Sequence, residues 1–296
     1  KSVTSNYKGP AMADADRDGN IEFYFVVSDS DAADYRKVAC YEFDPTGTNP
    51  YGTGTGTFNL KWVSSQRVTC GLAGAWQWND PYFSVSLADF DYDGTPEVVV
   101  GNDIFNADTG VYIAGGGTGN SIGNYIYDLS THEHFVAYSV AADVLPDGAC
   151  ADCTGLELVA GNQVYSVNVA TGSMNVEVQA PSGLADGSTS IVDYDVDGDL
   201  DAVVTTTDTI GSYLYIWDLQ TSTQISSTHT ITTVLNPWYR SVSNATVADF
   251  DGDNLPEIGV CANYVFQVVN DHNVSIAGTG GVAWSINTTD NSGLTG

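Results

Sequence analysis

The chain has 296 residues, 43% of them hydrophobic, which is enough for one large globular domain or two smaller ones. Its charge is lopsided, since 8 Lys and Arg residues stand against 37 Asp and Glu residues, for a formal net charge of -29. Such a surface repels nucleic acid and anionic lipid, and we expect neither as a partner. No apolar run approaches the roughly 18 residues of a membrane span, so we expect no membrane insertion.

The first distinctive element in chain order is the acidic loop DADRDGNIE, from Asp14 to Glu22. Its carboxylates stand at loop positions 1, 3, 5 and 9, and glycine at position 6 lets the backbone turn with positive φ. Alternate residues of a tight loop can point several carboxylates at one cation, while a backbone carbonyl at position 7 adds an oxygen. This is the ligand set that Ca2+ prefers. The alternative is a solvated acidic turn without metal.

Repetition favours calcium over a solvated turn, because the same spacing recurs at Asp89, Asp193 and Asp249. Position 6 is glycine in three loops and Asn254 in the last, and asparagine tolerates the left-handed conformation best after glycine. The predicted calcium ligands, at positions 1, 3, 5, 7 and 9, are Asp14, Asp16, Asp18, Asn20, Glu22, Asp89, Asp91, Asp93, Thr95, Glu97, Asp193, Asp195, Asp197, Asp199, Asp201, Asp249, Asp251, Asp253, Leu255 and Glu257. We therefore expect about four Ca2+ ions.

A fifth, altered copy is expected in the long interval between the second and third regular loops. The segment from Asp143 to Glu157 follows an apolar strand and precedes another, with a six-residue insertion relative to the regular loops. Its candidate ligands are Asp143, Asp147, Asp152 and Glu157. The insertion changes the loop geometry, so a fifth calcium ion and an empty loop both stay open.

The segments between the loops predict β-structure throughout. A short apolar strand follows each loop, and alternating strands such as Val164–Gly172 come next. A last strand leads into the next loop, as over 83–88 and 135–142, which gives about four strands per repeat and no helical periodicity. Four short strands repeated at this interval predict an all-β fold, a β-propeller of about five four-stranded blades. We assign residues 1–296 to one such domain, or to a segment of a larger ring excised from a longer chain. The Gly- and Thr-rich stretch Pro45–Phe58 predicts a low-complexity hairpin that forms an exposed, mobile loop.

The five cysteines leave several pairings open. Cys150 and Cys153 flank the inserted segment and could form a local disulfide, while Cys40 and Cys70 fall in neighbouring predicted strands and could pair. Cys261 would then be left over. A zinc site would need a second pair of ligands near Cys150, which the sequence does not offer.

The segment FSVSLADFDYDGTPEVVVGN, Phe83 to Asn102, resembles the FG-GAP repeat of integrin α-subunit propellers and the related VCBS-type repeats of bacterial surface proteins. The resemblance extends over the chain as five repeats. Phe83-Ser84 and Gly101-Asn102 replace the Phe-Gly and Gly-Ala-Pro ends of the family pattern, a departure closer to the bacterial variants. The resemblance implies a calcium-stabilised, extracellular or cell-surface propeller that binds partners through loops on one face, and it does not imply catalysis.

Catalytic motifs are missing from the sequence: there is no GxSxG elbow, no P-loop and no second His or Cys cluster beside His132 and His134. We therefore expect a non-enzymatic adhesion or interaction module with a protein or glycan ligand, joined to other domains of a long chain. Two alternatives are a polysaccharide lyase or other carbohydrate-active propeller, and a lectin that stacks sugars on Trp76, Trp78 and Trp238. Those three residues precede equivalent loops, where aromatic rings also commonly fill the space between blades.

Overall fold

The computed structural model describes residues 10–27, 36–48, 55–69, 82–117, 119–127, 134–208, 210–233, 242–262, 265–270, 272 and 281–287. Within these ranges the chain is all-β and contains no helix, as the sequence predicts. The same part of the chain accordingly has no helix that is long and apolar enough to cross a membrane.

Five antiparallel sheets follow one another along the chain; each has four strands in sequence order, and the fourth of these sheets has a fifth strand beside them. Sheet 1 contains β1 (Ala11–Ala13), β2 (Glu22–Val27), β3 (Lys37–Thr48) and β4 (Thr55–Val63). Sheet 2 contains β6 (Ser86–Ala88), β7 (Glu97–Val100), β8 (Asp103–Asn106) and β9 (Tyr112–Gly115). Sheet 3 contains β12 (Val140–Ala142), β13 (Glu157–Ala160), β14 (Gln163–Asn168) and β15 (Ser173–Gln179). Sheet 4 contains β16 (Ser188–Val192), β17 (Asp201–Thr207), β18 (Gly211–Asp218) and β19 (Thr223–Gln224), and β20 (His229–Thr233) also pairs with β18. Sheet 5 contains β21 (Thr246–Ala248), β22 (Glu257–Ala262), β23 (Val265–Val269) and β24 (Val282–Asn287).

A sixth, smaller sheet joins distant parts of the chain. It contains β10 (Asn124–Tyr127), β11 (His134–Ala137) and β5 (Tyr82–Phe83), and β5 pairs with β11 in parallel. The sequence predicts single strands over 83–88 and 135–142, and this is wrong. Each segment is divided by two residues, because its first part pairs in the small sheet and its second part enters sheet 2 or sheet 3.

Four apolar cores lie between consecutive sheets. Tyr24 and Val26 of sheet 1 pack with Val98 and Val100 of sheet 2. Counted from the acidic residue that begins the second strand of each sheet, residues at offsets 2 and 4 thus face the following sheet, and those at offsets 1 and 3 face the preceding one. The same alternation builds the other three cores, which contain Val99 with Leu158 and Ala160, Val159 with Ala202 and Val204, and Val203 with Ile258 and Val260. We call the side of a sheet that faces the following sheet its downstream face, and the side that faces the preceding sheet its upstream face.

The hairpin that the sequence predicts over Pro45–Phe58 is confirmed by the antiparallel pairing of β3 with β4. β3 extends to Thr48 and β4 begins at Thr55, so both ends of this stretch are strand, and residues 49–54 lie outside the described part of the chain. The aromatic rings of Phe43 and Phe58 pack with their centroids 5.2 Å apart. This cross-strand contact outweighs the turn preference of the surrounding Gly and Thr residues.

Candidate metal centres

Each acidic loop connects the first and second strands of its sheet, and we number loops 1 to 5 after their sheets. In the regular loops, which are 1, 2, 4 and 5, the position-9 acid pairs with the residue before position 1; the pairs are Ala13 with Glu22, Ala88 with Glu97, Val192 with Asp201, and Ala248 with Glu257. Loop 3 closes through the same pair, Ala142 with Glu157, despite its insertion. All five loops are therefore held in one register.

The carboxylate at position 1 folds each regular loop around itself. In loop 2, Asp89 accepts the backbone amide of Asp93 at 3.1 Å and that of Gly94 at 2.7 Å. The bond from the position-6 amide is also present in the other regular loops, at 3.0 Å in loop 1, 3.1 Å in loop 4 and 3.0 Å in loop 5. These bonds bend the backbone so that alternate side chains point to a common centre.

The resulting carboxylate clusters can hold a metal ion. In loops 1, 2 and 4, positions 1, 3 and 5 each offer an oxygen, and in loop 5 positions 1, 3 and 9 do so; within each group these oxygens lie within 4.8 Å of one another. At an effective dielectric near 20, two such charges repel by roughly 3 to 4 kcal/mol. Three converging carboxylates therefore favour either a bound cation or retained protons.

The acid at position 9 lies beneath the cluster and is almost fully buried in every loop. Glu97 accepts the amide of Phe90 at 3.1 Å, and Asp201 accepts the amide of Tyr194 at 2.7 Å. Burial, followed by the nearby Asp carboxylates, raises the pKa of Glu97 to about 7. Burial likewise raises the pKa of Asp201 to about 7. These two groups hold protons at neutral pH more readily than exposed acids do.

The metal-free protein should lose stability as the pH rises from about 5 to about 8. Because the folded-state pKa values of Glu97 and Asp201 are raised, their stabilising contribution is complete below the ordinary values and is lost as the pH passes about 7. The pKa of Asp249 is lowered, so this group changes the stability only at pH values below its ordinary pKa of 3.8, outside this range. Thermal melts of desalted protein across this pH range test the direction of the change in stability. In Glu97→Gln the melting temperature should depend less steeply on pH. A metal-free protein whose stability increases with pH would contradict this prediction.

Each regular loop has two residues with positive φ, whereas the sequence predicts only the one at position 6. The second is at position 4, and it is glycine only in loop 5, at Gly252. The other three are Arg17 with φ 61°, Tyr92 with φ 57° and Val196 with φ 61°. For a β-branched residue such as Val196 this conformation is strained. Gly252 was the available sequence signal that position 4 is left-handed.

A lysine from another strand lies against loop 1, and sequence reasoning missed it. The Lys61 Nζ lies 2.6 Å from Asp16, 3.5 Å from Glu22 and 3.3 Å from Glu42. Its side chain comes from β4, 45 residues from Asp16 along the chain. The hydrogen bond from Lys61, the largest cause, lowers the pKa of Asp16. The ammonium group therefore partly neutralises the first cluster and competes with a metal there.

Replacing Lys61 should tighten cation binding at loop 1. In Lys61→Met the competing ammonium is gone while the length of the side chain is retained, so we expect roughly tenfold tighter binding, an effect of about 1.4 kcal/mol. Calorimetric titration with Ca2+ measures the change. Lys37→Met, which alters a lysine at the start of β3, is the matched control and should leave every site unchanged. Unchanged binding in Lys61→Met would show that the lysine does not compete.

Loop 3 is organised differently. Glu157 accepts the amides of Val144 and Leu145, both at 3.0 Å, and Asp152 accepts an amide hydrogen from Asn168 at 2.7 Å. Cys150 and Cys153 form a disulfide, one of the pairings that the sequence left open. The structure does not gather Asp143, Asp147, Asp152 and Glu157 into a convergent group like those of the regular loops. Cys40 is a buried free thiol, and Cys70 lies outside the described residues.

Hydrogen bonds join neighbouring loops. Arg17 of loop 1 donates a hydrogen bond to the carbonyl of Gly94 in loop 2. The amide of Leu156 in loop 3 donates to the carbonyl of Phe90 in loop 2, at 3.2 Å. The apolar residue at position 2 adds to this by packing into the core shared with the following sheet, as Phe90 and Tyr194 do. The state of one loop therefore bears on the packing of the next sheet.

The aromatic residues predicted to stack on sugars in the lectin alternative lie outside the described residues; they are Trp76, Trp78 and Trp238. His132 also lies outside them. Comparison of the sequence with protein-family models and with curated proteins gave no match. The acidic loops and the junctions between sheets are therefore the features of the described residues that bear on function.

Proposed function

We propose that the five sheets are blades of a β-propeller of the FG-GAP or VCBS type, forming one domain over residues 1–296 or a segment of a larger ring. The support is the repeated four-stranded order, the identical register of the acidic loops, and the four cores between consecutive sheets. Propeller blades pack in this sequential, face-to-face manner.

The regular loops, in this proposal, bind calcium. The observation that carries it is the convergence of three carboxylate oxygens within 4.8 Å in each of four loops. The ligands are all oxygens, and in loops 1, 2 and 4 the buried position-9 acid can add a further oxygen under the cluster. Calcium accepts six to eight oxygens in flexible geometry, whereas Mg2+ requires a strict octahedron and keeps several waters. The residues present fit calcium better.

The function that follows is a non-catalytic interaction module of a secreted or cell-surface protein. In this proposal a metal centre repeated in four blades holds the loops in shape and is not a single recognition site. The Cys150–Cys153 disulfide supports an oxidising compartment. The ligand would be a protein or glycan bound where the repeats differ. The lyase and lectin alternatives have no support among the described residues and stay predictions.

Calorimetric titration of the metal-free protein with Ca2+ tests this proposal. Asp89→Asn removes the charge that organises loop 2 and should abolish one binding event. Asp108→Asn, at an exposed position outside the loops, is the matched control and should retain all of them. Absence of saturable calcium binding in the unmodified protein would refute the metal assignment, and efficient cleavage of a polysaccharide would refute the non-catalytic one.

A further inference from the structure

Loop 3 closes without the carboxylate that folds the regular loops. Asp143, at its first position, is exposed. The turn is made by the backbone, since the amide of Gly148 donates to the carbonyl of Cys153 at 2.9 Å. The loop nevertheless closes on the same kind of strand pair as the others, Ala142 with Glu157. Loop 3 is therefore held by contacts other than a carboxylate cluster.

The Cys150–Cys153 disulfide lies within loop 3 and fixes it to the core. Cys153 is 1% exposed and belongs to the core on the downstream face of sheet 3, and Cys150 packs against the same core. Val144 and Leu145 are also part of it, and their amides hold the buried Glu157, both at 3.0 Å. The disulfide is therefore packed in one group with the residues that hold the position-9 acid.

Loop 3 is in turn bonded to loop 2. The amide of Leu156 donates to the carbonyl of Phe90 at 3.2 Å. The amide of Phe90 donates to Glu97, at position 9 of loop 2, at 3.1 Å. Phe90 also stands between Asp89 and Asp91, two of the proposed calcium ligands. A displacement of loop 3 therefore reaches the backbone that carries these ligands.

We propose that the Cys150–Cys153 disulfide is a redox-active site that holds loop 3 as calcium holds the regular loops. Its substrate class is a dithiol reductant. Reduction frees loop 3 from its covalent link and, through Phe90, weakens the calcium centre of loop 2. The effect on loop 2 rests on the proposed calcium function, whereas the effect on loop 3 does not.

The reaction is a thiol–disulfide exchange. A thiolate of the reductant attacks Cys150 Sγ, because Cys150 is half-buried and Cys153 is buried. The Cys150–Cys153 bond breaks, and Cys153 leaves as a thiolate that takes up a proton. The second thiol of the reductant then displaces Cys150. Two cysteine thiols have formed, and the dithiol has been oxidised to a cyclic disulfide.

Hydrogen exchange of the whole chain, read by mass spectrometry over residues 143–157, 89–97 and 249–257, tests the proposal. With calcium bound, dithiothreitol should speed exchange over 143–157 roughly tenfold, the effect of opening a short covalent loop. It should leave 249–257, in loop 5, protected. In EDTA without reductant, at a temperature where the metal-free protein is folded, 249–257 should lose protection while 143–157 keeps most of it.

Calcium titrations read over the same segments test the link to loop 2. Reduction should raise the calcium concentration that protects 89–97 by roughly fivefold, and leave that of 249–257 unchanged. Cys150→Ala/Cys153→Ala should behave like the reduced protein and show no further response to dithiothreitol. Cys261→Ala, which removes an exposed free thiol, is the matched control and should respond as the unmodified protein does.

Exchange over 143–157 that dithiothreitol leaves unchanged would overturn the proposal, and this readout does not require that the double variant fold. A loss of protection over 143–157 in EDTA as large as that over 249–257 would also overturn it. An unchanged midpoint for 89–97 on reduction would refute the link to loop 2. If no loop responds to calcium, the proposed function fails, and the response of 143–157 to dithiothreitol still decides whether loop 3 is redox-controlled.

Discussion

Removing calcium should lower the melting temperature of the protein by at least about 20 °C. A ligand present at about 1,000 times its Kd stabilises the folded state by about 4 kcal/mol per site, and four loops can contribute in this way. In a domain of this size each kcal/mol shifts the melting temperature by about 1.6 °C, so the four sites together account for about 26 °C. The repulsion among converging carboxylates acts in the same direction once the cation leaves.

Differential scanning fluorimetry with and without EDTA measures this shift. Excess calcium added after chelation should restore the original curve, while magnesium at the same concentration should restore little of it. Identical melting curves in EDTA and in calcium would mean that the loops do not depend on a metal.

Truncating Phe90 should destabilise the protein far more than truncating Phe250, although both occupy position 2 of their loops. Phe90 is buried against Leu158 and Ala160 of sheet 3, so Phe90→Ala should cost about 3 to 5 kcal/mol. Phe250 is 39% exposed, and Phe250→Ala should cost less than about 1 kcal/mol.

Urea unfolding in calcium compares the two variants. The difference between them isolates the contribution of the following sheet, since residue type and loop position are the same. Similar costs for both substitutions would show that loop residues at position 2 do not join consecutive sheets.

The sequence predicted the acidic loops well because their chemistry is local. Nine residues, as in Asp89–Glu97, contain the carboxylates, the turn residue and the start of the next strand. Their register against the preceding strand then follows from the hairpin. The apolar strand after each loop was equally clear, although the structure begins it one residue earlier, on the position-9 acid itself.

The features that sequence reasoning missed depend on distant residues. Lys61 reaches Asp16 only because β4 lies beside β3 and β2 in sheet 1. The parallel pairing of Tyr82–Phe83 with β11 joins segments about 50 residues apart, and no local pattern encodes it. For Pro45–Phe58, composition predicted the hairpin, but the extension of its strands to Thr48 and from Thr55 depends on pairing between β3 and β4.

Counting bound calcium by native mass spectrometry tests the central claim most directly. At saturating calcium we expect four ions in the unmodified protein. Loop 1 should fill last, because Lys61 competes with calcium there. Asp89→Asn and Asp193→Asn should each reduce the count by one, and Asp108→Asn should leave it at four. A protein without stoichiometric calcium, or a count that both loop substitutions leave unchanged, would contradict the account.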